Sequence, residues 1–133
     1  MSRTVLRYLA DISRRVRTRW AQITEHGFLG EREARGLALL REWLSPEQLA
    51  QYDKHRHFDV TGCHSGKRYR IRHGTEMNVY EVDSTGRPLA GWCFVPRDHL
   101  VAGDVMLAQK IALETSEFTA LTVAKGFLPR WHL

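Results

Sequence analysis

The hydrophobic pattern of this chain changes period near His55, and that change decides what it can fold into. Upstream, apolar residues recur at spacings of three and four; downstream, from Phe58, they alternate with polar ones; beyond Asp104 the helical spacing returns. A chain that switches from a period of about 3.6 to one of 2 and back builds helices and a sheet as separate blocks. The expected class is therefore α+β, with an antiparallel sheet made of sequential hairpins.

The first helix is expected over Thr4–His26. Val5, Leu9, Ile12, Val16, Trp20 and Ile23 form one stripe, while Arg3, Arg7, Arg14 and Arg17 form a second, nearly opposite one. Met1–Arg19 holds six arginines and one acid, which accounts for the whole formal charge of +5. Gly27-Phe28-Leu29-Gly30 breaks the pattern, separating a basic amphipathic helix (1–26) from an α+β domain (31–133). A second helix is expected from Glu31 to Leu44, with Ala34, Leu37, Leu40 and Leu44 inward. A third starts at Ser45-Pro46-Glu47-Gln48, where Ser45 caps, Pro46 suits the first position and Gln48 closes a capping box.

Four strands follow: around Phe58 and Val60, around Tyr69 and Ile71, at Val79–Val82 and at Trp92–Phe94. Turn signals at Gly62–Gly66, His73-Gly74 and Asp83–Gly86 separate them, so a four-stranded meander is expected. Asp104 is a candidate cap for a helix from Val105 to about Glu114, and Ser116 for a final short helix that Gly126 ends, giving a C-terminal helical pair. The tail Phe127–Leu133, with Trp131, is apolar for a terminus and is expected to dock on the domain or on a partner.

A chain of 133 residues with 43% hydrophobic and 26% charged residues can bury a core without disulfides or metals. No apolar run approaches the roughly 20 residues of a membrane span, and no secretory signal is legible. The Arg-rich start has the composition of a mitochondrial transit peptide, yet a retained helix is the reading adopted. Cys63 and Cys93 are read as reduced thiols of a cytoplasmic protein.

From about Leu44 to Ala124 the chain resembles a group of small, uncharacterised bacterial and phage-associated proteins. The residues concerned are Gly66-Lys67-Arg68-Tyr69-Arg70-Ile71, Asn78-Val79, Cys93, Pro96 and the run Asp104–Glu114. The resemblance implies a common fold. The group has no agreed activity, so no catalytic residue is carried across.

Chemical motifs are sparse. Cys63, His64, His73 and Cys93 lack the paired short spacing of a zinc site, so no metal and no cofactor is expected. Cys63 and His64 form the weak basis of an enzyme reading, because consecutive strand residues point to opposite faces. Three arginines, Arg68, Arg70 and Arg72, are expected to project from one strand face beside Lys67, with Glu76 and Glu81 as balancing acids and no aromatic residue evident for base stacking. The function expected is a non-enzymatic, basic interaction or assembly module of a virion or nucleoprotein kind. It would dock on a protein partner or a second copy of itself through the N-terminal arginines, Trp20 and Trp131, away from membranes. Sequence-independent nucleic-acid binding through the arginines of helix and strand is the alternative, and a His/Cys enzyme the third.

Overall fold

The computed structural model describes residues 29–94 and 100–129. The first-helix readings (Arg3, Arg7, Arg14, Arg17, Trp20), Pro96 and Trp131 lie outside these residues. The elements run α1 (Leu29–Trp43), α2 (Pro46–His55), β1 (His57–Thr61), β2 (Arg68–Arg72), β3 (Val79–Val82), β4 (Pro88–Cys93), α3 (Ala102–Val123) and β5 (Lys125–Phe127). The class is α+β with an antiparallel sheet, as the change of period requires.

α2 starts as its sequence dictates. The Ser45 hydroxyl accepts from the Gln48 amide, and the Gln48 side chain accepts from the Ser45 amide, at 3.2 and 3.0 Å. Arg56 closes it in a left-handed conformation, its amide donating to the Tyr52 carbonyl. The chain then enters β1 directly.

The sheet has five strands in sequential order, all neighbours antiparallel. The expected meander of four is thus one strand short. Residues 125–127 turn back along β4, with Gly91 opposite Phe127 and Cys93 opposite Lys125. Gly126 therefore lies inside a strand and does not end a helix. A Lys-Gly-Phe tripeptide is too short to show alternation. Gly91 makes the pairing possible: a Cβ there would meet the Phe127 ring at 2.2 Å.

One sheet face is apolar. Phe58, Val60, Tyr69, Ile71 and Val79 are buried against Leu40, Met106, Leu107 and Leu113. α3 passes between this face and α1. Gly103 sits so close to α1 that a Cβ would lie 2.1 Å from the Gly36 backbone, which lets the two helices touch main chain to main chain. Inside α3 the backbone leaves helical geometry at Ser116 (φ −153°, ψ 48°), so the expected helical pair is present as two helical segments joined across a kink at that residue, although the first begins earlier than expected. Across the core, Asn78 and Gln109 exchange two hydrogen bonds at 2.8 and 2.9 Å, and Gln109 also donates to the Phe94 carbonyl at 3.0 Å. This amide pair fastens the β2–β3 connection to α3 with its polar groups satisfied.

Asp104 is not the helix cap expected of it. α3 begins at Ala102 with Val101 as its uncapped N-cap. Asp104 lies in the first turn, 1% exposed, and neither carboxylate oxygen has a hydrogen-bond partner among the described residues. Burial raises its pKa to about 6, against an opposing pull from Arg32. A carboxyl whose folded pKa exceeds its unfolded value binds more protons when folded, so stability falls as pH rises between about 4 and 6. Asp104→Asn removes the charge without changing the shape. It is expected to stabilise the protein by about 1–3 kcal/mol at pH 7, with the gain vanishing near pH 4. Urea melts at the two pH values check this; an equal effect at both would contradict it.

Candidate functional site

Two groups of polar side chains stand out: the outer face of the sheet and the turn after β1. On the outer face the register sets Arg70 of β2 between Asp59 of β1 and Tyr80 of β3, Arg72 beside His57, and Arg68 between Thr61 and Val82. Alternation makes the three arginines share a face because Tyr69 and Ile71 are drawn into the core. The sequence expectation for this strand therefore holds in its geometry.

The counter-ion differs from the one expected. Arg70 Nε and a terminal nitrogen donate to the two oxygens of Asp59 at 2.9 and 3.2 Å, and its other terminal nitrogen reaches the Gly86 carbonyl at 3.3 Å. Arg68 places Nε 3.5 Å from the same carboxylate and donates to the Asp83 carbonyl at 2.7 Å. Glu81 instead lies opposite Tyr69 and pairs with Lys67 at 3.5 Å. A carboxylate on β1 one residue out of the apolar phase is the signal that was available in the sequence. Burial pushes the Asp59 carboxyl up, but hydrogen bonds from Arg70 and Gln51 outweigh it and hold it below the ordinary carboxylate range.

Aromatic rings are present on this face as well. Tyr80 lies directly opposite Arg70 and meets Phe127 edge-to-face at a centroid distance of 5.4 Å. The expectation that rings are absent beside the arginines is thus corrected; the ring contact needs β5, which was not foreseen. His57 stacks on His55 at 5.3 Å. Its burial, aided by Arg70, lowers its pKa to about 4, so it is neutral at pH 7 and offers a ring without charge. His57, Arg70, Arg72, Val82, Gly86 and Pro88 line a hollow of about 250 Å³.

The second group is built around Glu117, the residue after the break in α3. Its side chain is fully buried. Oε1 accepts from the amides of His64 and Ser65 at 2.9 and 2.7 Å; Oε2 accepts from the Tyr69 hydroxyl at 2.6 Å and from the Ser65 hydroxyl. Gly62 is obligatory here, since a Cβ would fall 2.3 Å from the carboxylate. Burial pushes the Glu117 carboxyl up, but these donors dominate and hold it at about 2.

Because residues 62–66 form a turn, Cys63 and His64 are not on opposite strand faces. The sequence argument against their meeting is overturned: Cys63 Sγ lies 3.0 Å from His64 Nδ1. The Glu117 amide donates to Sγ at 3.5 Å, and the imidazole stacks on Phe118 at 4.8 Å. Cys63, His64 and Glu117 bring one ligand atom each within 4.8 Å of the others, the one such cluster among the described residues. His73 is elsewhere, bonded to the Tyr52 hydroxyl at 2.9 Å, and Cys93 lies in β4. The Glu117 oxygens are already engaged by four donors, so the thiol and imidazole are the chemically open part of the cluster.

No family model matches the chain, and neither a curated protein nor a solved structure does. Among the described residues no helix is long and apolar enough to cross a membrane.

Removing the Glu117 carboxylate strands two amides and a buried phenol. Glu117→Ala is expected to cost about 3 kcal/mol or more, whereas Tyr69→Phe, which deletes one donor, costs about 1–2 kcal/mol. With its folded pKa below its unfolded one, Glu117 contributes stability that is present above about pH 4.5 and lost towards pH 2. Chemical denaturation at pH 7 and pH 3 reads both effects; a Glu117→Ala protein as stable as the parent would refute the assignment.

Proposed function

We propose that this protein is a non-enzymatic interaction module for a nucleic-acid-containing assembly, and that the outer sheet face is where it meets the phosphate backbone. The observation that carries the reading is the register itself. It aligns Arg68, Arg70 and Arg72 about 7 Å apart, with one strand carboxylate, Asp59, among them. Phosphates are spaced at similar intervals along an extended strand, and arginine binds them through its planar fork of donors.

The rings on the same face support this reading. Tyr80 and His57 flank the arginines, and base stacking on such rings tolerates any sequence. The contacts would therefore carry little sequence information, as expected when phosphates supply most of the affinity. Asp59 holds Arg70 and Arg68 in place, so their positions are set before a partner arrives and little side-chain entropy is lost on binding. By sequence, Arg3, Arg7, Arg14 and Arg17 add to the same electrostatic attraction.

Docking on a protein partner is the second reading, favoured by the exposed apolar side chains of Phe118, Val123 and Leu128, which are 55%, 57% and 84% exposed. Salt separates the two. Fluorescence anisotropy of labelled single-stranded DNA and RNA with the full chain is expected to show affinity falling steeply with salt. Changing Arg68, Arg70 and Arg72 together to Gln should reduce the magnitude of the log–log slope by about 2–3, since each phosphate contact contributes roughly 0.7–0.9. Equal affinity and slope in parent and variant, with the fold intact by circular dichroism, would overturn the assignment of the sheet face. Absence of binding by the parent would leave protein docking.

A further inference from the structure

We propose that Cys63 is a reactive thiol activated by His64, and that it forms mixed disulfides with low-molecular-weight disulfides of the glutathione type. Three features of the turn lead there. Both side chains are exposed, so a small reagent can reach the sulfur. The 3.0 Å separation of Sγ and Nδ1 is short enough for proton transfer within the pair. The imidazole is held in that position by its stack on Phe118, so the geometry is set before the reagent arrives.

The sulfur has a proton acceptor and an amide donor beside it. In the tautomer with its proton on Nε2, His64 accepts the thiol proton at Nδ1. The Glu117 amide, at the start of the helical segment after the break, points at Sγ and gives the developing charge a donor at 3.5 Å. The Glu117 oxygens are engaged by four donors of their own, which leaves the thiol proton to His64.

The reaction is a thiol–disulfide exchange. Cys63 passes its proton to His64, and the thiolate attacks one sulfur of the reagent. A new S–S bond forms to Cys63 as the reagent's S–S bond breaks. The displaced half leaves as a thiolate and takes up the proton from His64, directly or through solvent. One thiol is consumed, one is released, and no net oxidant is needed beyond the disulfide itself.

The fold can accept the product. The turn is held to α3 by Glu117 through the main chain of His64 and Ser65, so the thiol can be modified without releasing that anchor. The adduct would sit beside the exposed ring of Phe118, altering an outward surface at the opposite end of β1 from His57. The proposal does not depend on what the outer sheet face binds.

The test uses the full chain with Cys93→Ser, so that one thiol remains. It is treated with glutathione disulfide at pH 7 and followed by intact mass and by the rate of adduct formation. The native protein is expected to react about tenfold or more faster than the same chain unfolded in urea, and adding His64→Gln should remove most of that advantage while leaving the melting temperature in place. Phe118→Ala should give an intermediate rate, because it frees the imidazole without removing it. A native rate no higher than that of the unfolded chain, or one unchanged by His64→Gln, overturns the proposal.

Discussion

The buried carboxylate of Glu117 is the constraint on which the rest of this structure leans. It is a charge with no exposure to water, stabilised because two amides and two hydroxyls converge on it. Those donors come from the turn after β1 and from the middle of the core face of β2. One side chain thus ties the β1–β2 hairpin to α3, one residue after α3 breaks. The non-helical backbone at Ser116 and the glycine at position 62 both flank this contact. The geometry of Cys63 and His64 follows from it, since their turn is shaped around the carboxylate.

A second buried polar contact complements the first. The Asn78–Gln109 amide pair holds the other end of the hairpin system against α3. Both contacts satisfy their groups, and a satisfied network in a low-dielectric core fixes one arrangement of helix and sheet, because any slip leaves donors unpaired. Most residues in the segments Lys67–Ile71, Asn78-Val79 and Asp104–Gln109 meet this core: Tyr69, Ile71, Asn78, Val79, Met106, Leu107 and Gln109 are each 4% exposed or less. These segments encode how the sheet and α3 fit together. Their neighbours Arg68, Arg70 and Arg72 point away from it, to the outer face.

The two sheet faces divide the labour. The inner face supplies the apolar area that holds the domain together, and the outer face gathers charge and rings that the core has no use for. Asp59 tempers the repulsion of three aligned arginines and orders two of them. β5 completes the surface by laying Phe127 over Gly91 and against Tyr80. Of the tail expected to dock, Phe127 does so at the end of a strand, whereas Leu128 is 84% exposed.

What the sequence determined by itself were the features governed by near neighbours. The change of period set the class and placed the first three strands, while the fourth, expected at Trp92–Phe94, runs Pro88–Cys93; Ser45, Pro46 and Gln48 set the start of α2; the phase of Tyr69 and Ile71 set which face the arginines take. Each depends on residues within one helical turn or one pleat, so each is readable from spacing. What only the tertiary structure decided were contacts between residues far apart in the chain: Asp59 as the counter-ion, β5 beside β4, Asn78 on Gln109, and Glu117 under the turn at Cys63. Strand alternation argued that Cys63 and His64 point apart, and it does not apply because both lie in the turn that Gly62–Gly66 signals; what spacing could not show is the carboxylate more than fifty residues away that accepts from the amides of that turn. Local periodicity cannot register such a partner, since pairing across the core is chosen by which buried groups can satisfy one another once the elements have met.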